Sequence, residues 1–149
     1  MPAAVAASFD PADLVSAIEG MGGDRRYASL VAVQIDKALK DSRAAAALAE
    51  LDAVLIGGGP MPAGVAEKAS AAGISVVRTY GMSETCGGCV YDGVPLPGVE
   101  IRITDADDAG VGRVELAGQM IARGYRHLPD HAAFASAGWF RTDDLGVIT

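Results

Sequence analysis

The chain has 149 residues, half of them hydrophobic, and a formal net charge of −7. A domain of this size buries roughly 68–70% of its unfolded-chain surface, which suffices for one core or two small packed subdomains. The acidic balance argues against a nucleic-acid or anionic-membrane partner, while a small anionic ligand held by local amides and a metal stays compatible with it. No run of about 18 apolar residues is present to span a membrane. Residues 1–9 lack the basic n-region of a signal peptide, and two cysteines make no disulfide framework, so a cytoplasmic protein is the expectation.

Asp10 is a good helix N-cap and Pro11 suits the first helical position. Leu14, Ile18 and Met21, with Val15 beside them, then form one apolar stripe that Gly20, Gly22 and Gly23 end. Tyr27–Val33 reads as a short buried strand, followed by Ala-rich helices near Gln34–Lys40 and Arg43–Leu51. Ala53–Ile56 is a continuous apolar run before three glycines. Pro62 opens a helix whose Val65, Ala69 and Ala72 share a face, Gly73 closes it, and Ser75–Thr79 is a second strand. Strand, helix and strand in this spacing predict a βαβ unit with parallel strands. Ligands of such sheets bind beyond the carboxyl ends of the strands, where the loops Gly57–Pro62 and Tyr80–Glu84 fall.

After Gly93 the pattern changes. Val99, Ile101 and Ile103 alternate with Glu100 and Arg102, Asp105–Gly110 is a polar turn, and Val114 and Leu116 resume the alternation. His127–Ala137 holds a short helix and Trp139–Arg141 a last strand, with the acidic pair Asp143-Asp144 in the loop beyond. The expected fold class is α/β. A βαβ parallel-sheet subdomain over 1–92 precedes a small antiparallel β-barrel-like subdomain over 93–149.

Several groups of residues could carry chemistry. Gly57-Gly58-Gly59-Pro60-Met61-Pro62 lets a ligand approach the backbone, or is an ordinary tight turn. It is not a phosphate-binding P-loop, because no Lys-Ser/Thr follows. In Tyr80-Gly81-Met82-Ser83-Glu84 the ring can pack on a planar base, the hydroxyl can donate to a phosphate, and the carboxylate suits Mg²⁺. A nucleophile elbow is the rival reading, with Asp107 and His127 as partners, but Thr85 stands where that motif needs Gly. Cys86-Gly87-Gly88-Cys89 is a poor redox motif, since two glycines disfavour the helix that activates the thiol. Cys86 and Cys89 with His127 and His131 have paired zinc-ligand spacing, but the spacer between the pairs far exceeds that of a zinc finger. A buried thiol pair and two surface histidines are expected instead. On a strand, neighbouring Asp143 and Asp144 point to opposite faces, so one can bond a ligand hydroxyl; a charged turn is the alternative.

Taken in order, the glycine loop, Tyr80-Gly81-Met82-Ser83-Glu84, Gly124-Tyr125 and Trp139-Phe140-Arg141-Thr142-Asp143-Asp144-Leu145-Gly146 resemble the motifs of the adenylate-forming superfamily. That family holds acyl-CoA synthetases, nonribosomal adenylation domains and luciferases. It carries Gly where Asp143 stands. Within it, Gly81–Gly93 and Arg25–Val31 are most similar to the o-succinylbenzoate–CoA ligases of actinobacterial menaquinone biosynthesis.

The resemblance implies that the chain is part of the large N-terminal domain of such an enzyme. Gly57, Gly58, Gly59 and Pro60 would line the adenine site, and Tyr80 would pack on the base, with Gly81 and Met82 in the same nucleotide-binding loop. Ser83 would contact the α-phosphate and Glu84 would hold Mg²⁺, the two catalytic positions, and Asp144 would bind the ribose hydroxyls. Thr85, Gly87 and Gly88 would border the acyl group, the two glycines leaving room for an aromatic ring. ATP/AMP and Mg²⁺ are the implied cofactors, a carboxylic acid the partner and CoA the co-substrate. The acid attacks the α-phosphate of ATP, pyrophosphate leaves, and the CoA thiol then displaces AMP. A medium- or long-chain fatty acyl-CoA ligase shares these motifs, and a non-catalytic binding or structural fragment is the other alternative.

The family's phosphate loop with its Lys, and its mobile C-terminal domain with the catalytic Lys, have no counterpart here. The chain is therefore expected to be the central piece of a longer enzyme or a truncated product, inactive as a ligase by itself. An apolar face left by the absent parts would favour self-association, which allows an oligomer.

Overall fold

The computed structural model describes residues 8–148, so the expected domain limits at 1 and 149 lie outside the described residues. Asp10 accepts from the Ala12 N–H at 2.8 Å and caps α1 (Pro11–Glu19), with Pro11 in the first turn. Val15 and Ile18 of its apolar stripe are buried, and Leu14 and Met21 flank them. The apolar run after Tyr27 splits into two elements. β1 (Tyr27–Val31) stops where the Gln34 side chain accepts from the Val31 N–H at 2.9 Å, and Val33 lies exposed in α2 (Ala32–Ala38). That reach-back bond satisfies a donor at the helix start and ends the strand two residues earlier than its hydrophobicity suggests.

α3 (Ser42–Ala49), capped by Asp41, precedes β2 (Ala53–Gly57). α4 (Ala63–Ala71) and β3 (Val76–Met82) complete the βαβ unit. β2 pairs in parallel with both β1 and β3, as the spacing predicts. Val65 and Ala69 pack inward from α4. Ala72 follows the last turn as its cap and is exposed, not part of that face. Fully buried Ile18, Ile35, Leu48 and Val54 anchor this core, each contributing roughly 1.5–3 kcal/mol of transfer free energy.

Two compact units divide between Thr79 and Tyr80, inside β3, ahead of the expected boundary at 92/93. The physical reason is packing: Tyr80, Met82, Cys89 and Val90 share a core with Val114 and Leu116. β3 continues through Tyr80, Gly81 and Met82, so the expected loop there is half strand, and only Ser83–Thr85 forms a turn, of 3-10 type. Gly81 allows this continuation. A Cβ at Gly81 would overlap the Gly87 carbonyl oxygen and lie 2.7 Å from Gly88 Cα in β4 (Gly87–Tyr91). β4 turns through Asp92 and Gly93, both at positive φ, into β5 (Val94–Pro95), as a two-residue hairpin requires.

β6 (Glu100–Thr104), β7 (Gly112–Ala117) and β8 (Trp139–Gly146) make an antiparallel sheet with β7 in the middle. Among the described residues it is an open three-stranded sheet with β6 and β8 at its edges, not a barrel. Ile101, Leu116 and Phe140 lie side by side on one row, and Arg102, Glu115 and Arg141 on the next. The alternation of β7 predicts a solvated Glu115, yet that residue is only 5% exposed. Arg102 Nε donates to Glu115 Oε2 at 2.7 Å, while Arg141 Nη1 and the Thr104 hydroxyl donate to Oε1 at 3.0 and 3.2 Å. Burial alone would raise the Glu115 carboxyl pKa, but the bonds from Arg102 and Arg141 outweigh it and hold the group below its ordinary range. Arg102 also lies 4.0 Å from the centroid of the Trp139 ring. Between β7 and β8, instead of a short helix over His127–Ala137, a single 3-10 turn forms at Ala132–Phe134, started by His131 Nδ1 accepting from Ala133 N.

Three substitutions test this packing. Gly81→Ala forces β3 and β4 apart and is expected to destabilise by about 1–3 kcal/mol in urea titration. Gly64→Ala, in α4 with open space around it, is expected to stabilise by about 0.4–1 kcal/mol. Because the Glu115 pKa is depressed by folding, its contribution is complete above the ordinary carboxyl value of 4.5 and is lost as pH falls through the lower folded value. Glu115→Gln is therefore expected to cost about 1–3 kcal/mol at pH 7. The same substitution should flatten the fall in melting temperature as pH drops below the ordinary carboxyl value of 4.5, measured by calorimetry.

Candidate functional site

In the first unit the glycine loop follows β2. Gly58 and Gly59 adopt φ of 76° and 153°, and both are exposed with Pro60. Gly57 is a packing position. A Cβ there would lie 2.5 Å from the Thr79 hydroxyl, which itself donates to the Ile56 carbonyl at 3.3 Å. Gly58 and Gly59 thus present bare backbone to solvent, while Gly57 lets β2 and β3 approach.

In the second unit two tyrosine–carboxylate pairs form. β3 brings half-buried Tyr80 to Asp144 of β8, and the phenol donates to Oδ2 at 2.7 Å. Burial first, and then this bond, push the Tyr80 hydroxyl pKa well above its ordinary value, so it stays a donor at neutral pH. Asp144 reaches Tyr80 because β8 bulges. Arg113 pairs with Leu145 and Glu115 with Arg141, which leaves Thr142, Asp143 and Asp144 opposite Val114. The bulge is held by the buried Thr142 hydroxyl, which donates to Val114 O at 2.8 Å and accepts from Asp144 N at 3.1 Å. Asp143 and Asp144 are thus strand residues, not a charged turn after a short strand. Asp143 offers its carbonyl to Arg113 Nη1.

The second pair joins Glu84 to Tyr125. The phenol donates to Oε1 at 2.6 Å, and the Glu84 carbonyl accepts from Ala122 N at 2.8 Å. The bond to Glu84, with burial second, raises the Tyr125 hydroxyl pKa. The His131 and Phe134 rings meet the Tyr125 ring edge to face, with centroids at 4.8 and 5.4 Å. The motif order marks Tyr125, but sequence alone does not reveal its partner.

Other expected site residues divide by what their atoms already do. Ser83 is exposed at the start of the 3-10 turn, with its carbonyl accepting from Cys86 N. Met82 packs its side chain into the second core, and its N–H donates to Thr85 Oγ1 at 2.9 Å. Thr85 is buried, and its hydroxyl lies within hydrogen-bond distance of the carbonyls of Met82 and Gly87, so it organises the turn. Gly87 and Gly88 are exposed. Gly88 and Thr85 border an open cleft of about 840 Å³ whose other walls include Leu96, Val99, Met120 and Trp139.

The remaining readings lose their partners. Asp107 Oδ1 accepts from Ala109 N and Val111 N within its turn, which removes the triad acid a nucleophile elbow would need. Cys89 is buried but Cys86 is exposed, so the thiols do not form the expected buried pair. His127 and His131 are exposed, and among the described residues no three His, Cys, Asp or Glu side chains gather. Glu84 therefore offers a single carboxylate, with Tyr125 bonded to Oε1 alone. That set fits Mg²⁺, which takes one or two carboxylates and fills its shell with phosphate oxygens and water. No helix among the described residues is long and apolar enough to cross a membrane.

The chain is similar along most of its length to known proteins. A probable 2-succinylbenzoate–CoA ligase of Mycobacterium tuberculosis is 58% identical over 144 residues, covering 97% of this chain and 36% of the relative. A 2-succinylbenzoate–CoA ligase of Geobacillus is 31% identical over 86% of this chain and 30% of its own length. The chain thus spans about a third of the curated relatives it matches. Among solved structures, a double mutant of o-succinylbenzoate CoA synthetase (MenE) from Bacillus subtilis, bound to its product analogue OSB-NCoA, superposes with a TM-score of 0.81. Its identity is 25%, over 94% of this chain and 32% of that one. A malonyl-CoA ligase with methylmalonyl-CoA and AMP bound gives 0.78 at 28% identity, over 93% of this chain and 34% of its own. The mixed α/β fold is shared with both. The family model described as AMP-binding enzyme matches residues 14–126, and the chain belongs to that family.

Proposed function

We propose that this chain is the central part of an ATP-dependent o-succinylbenzoate–CoA ligase, acting in the cytoplasm in menaquinone biosynthesis. The observation that carries the reading is the 58% identity to a probable 2-succinylbenzoate–CoA ligase across 97% of the chain. The second unit supplies residues suited to bind the nucleotide and its metal. Asp144, oriented by Tyr80 and the bulge, takes the ribose hydroxyls, a charge-assisted bond stronger than a neutral one. The Tyr80 ring packs on adenine, with Gly81 and Met82 contributing main chain only. Ser83, exposed at the turn, contacts the α-phosphate. Glu84 holds Mg²⁺, which when bound neutralises charge developing on the phosphates. Gly57 to Pro60 are assigned to the nucleotide on the order of the motifs alone.

In the proposed reaction an o-succinylbenzoate carboxylate oxygen bonds to the α-phosphorus of ATP as pyrophosphate leaves. The CoA thiolate then bonds to the acyl carbon as AMP leaves. This chain's part is binding and alignment. Gly87 and Gly88 leave the acyl side of the turn without side chains, and the cleft beside Gly88 is walled by Trp139, Met120 and Leu96, surfaces suited to an aromatic acid. Thr85 borders that side through the turn it holds.

Calorimetric titration with o-succinylbenzoyl and fatty acyl sulfamoyl adenosines, with AMP as control, tests the reading. The o-succinylbenzoyl compound should bind tighter, and Asp144→Ala should weaken it about 10- to 100-fold, the loss of charge-assisted bonds worth about 1.5–3 kcal/mol. Preference for the fatty compound would replace the acid and keep the adenylate site. Equal binding by Asp144→Ala would sink the ribose assignment.

A further inference from the structure

We infer that Tyr125 is a positioning residue for Glu84, holding the carboxylate so that its other oxygen meets the divalent cation of a magnesium–nucleotide. The inference rests on the reading of Glu84 as the metal ligand. Five contacts carry it. The Tyr125 hydroxyl donates to Glu84 Oε1 at 2.6 Å. The Glu84 main chain is tied to the same segment, since its carbonyl accepts from Ala122 N at 2.8 Å. The phenol is fixed in turn by the edge-to-face rings of His131 and Phe134. Phe134 lies 5.0 Å, centroid to centroid, from Phe140, which is buried in β8. A continuous path of packed rings therefore runs from the sheet to one carboxylate oxygen.

The consequence is preorganisation. A free glutamate on a short turn has several rotatable bonds, and their entropy is lost when a cation fixes the carboxylate. Tyr125 imposes much of that restriction before the cation arrives, which leaves more of the binding free energy for the metal–nucleotide. It also selects the denticity. With Oε1 occupied by the phenol, Glu84 offers Oε2 as a single-oxygen ligand. That suits a small octahedral cation whose other positions belong to phosphate and water. Hydrogen-bond partners of ligating carboxylates orient the ligand in this way, and their loss weakens metal affinity about 10- to 100-fold.

The test uses Mn²⁺ as a spectroscopic stand-in, in the protein that carries this chain. Electron paramagnetic resonance reads Mn²⁺ affinity for the protein–nucleotide complex, and calorimetry reads AMP binding in chelator. Tyr125→Phe keeps the ring and its stacking. It should weaken Mn²⁺ binding about 10- to 100-fold and leave metal-free AMP binding within about twofold. Phe134→Leu, which loosens the phenol and keeps its hydroxyl, should weaken Mn²⁺ binding by a smaller factor and serves where Tyr125→Phe fails to fold. In a Glu84→Gln background, Tyr125→Phe should add nothing. Unchanged Mn²⁺ affinity in Tyr125→Phe would overturn the inference, as would an equal loss of Mn²⁺ and AMP binding, the mark of a merely structural role. Glu84→Gln separates the two failures. If it leaves Mn²⁺ binding intact, the metal reading itself is wrong and the inference falls with it. If it abolishes binding while Tyr125→Phe and Phe134→Leu do not, only the inference fails.

Discussion

One buried carboxylate organises the second unit. Glu115 sits in the central strand with an arginine directly opposite it on each side, Arg102 on β6 and Arg141 on β8. A single buried acid–base pair often fails to recover its desolvation cost. Here one anion accepts from two guanidinium groups and a threonine, and both guanidinium groups keep contact with water, so the charges that are hardest to bury stay partly solvated. The row also fixes register. Glu115 must meet Arg141, while Gly112 meets Gly146, and the extra residues of β8 between them have to bulge opposite Val114. That bulge aims Asp144 at Tyr80.

A second constraint is steric. β3 and β4 approach so closely where Gly81 faces the Gly87 carbonyl that no Cβ fits at Gly81. The chain reverses there through Ser83–Thr85, and Thr85 spends its hydroxyl holding the reversal together. Ser83 and Glu84 are what the turn leaves facing outward to partners, with Glu84 tied to Ala122 and Tyr125. Conserving the turn's shape and presenting its polar groups are thus the work of different residues in one six-residue stretch.

Elements governed by local chemistry were legible in the sequence. Asp10-Pro11 announces α1, and the apolar runs around Pro62 and Gly73 announce the βαβ unit. Errors arose where a partner distant in sequence decides the outcome. Gly81 reads as a turn residue until β4 is known to cross it. Asp143-Asp144 reads as a charged loop until Glu115 and Val114 set the register of β8. Glu115 reads as solvated because alternation reports one covered face, and nothing local shows that Arg102 and Arg141 cover the other. The candidate residues fared similarly. Tyr80 and Asp144 both stand in recognisable motifs, but their bond spans 64 positions, and that of Tyr125 with Glu84 spans 41. Thr85 and Met82 belong to a conspicuous motif, and their inward orientation is a property of the turn.

The two tyrosine–carboxylate pairs also address how a chain of net charge −7 could bind an anionic nucleotide. Distant surface charge is screened over about 8–10 Å at physiological salt, so the carboxylates nearest the ligand decide the local field. In the proposed reading Asp144 meets ribose hydroxyls, which donate to it and carry no charge. Glu84 meets the phosphates only through a cation, which reverses the sign of their interaction. Each tyrosine engages one carboxylate oxygen and directs the other, so the acidic groups are steered towards the parts of the ligand that tolerate them. Replacing either phenol by a residue without a donor would leave the same net charge, yet would free its carboxylate from the direction that the bond sets. In the proposed reading the hydroxyls of Tyr80 and Tyr125 set the direction of the two carboxylates, and attraction to the phosphates is left to the metal.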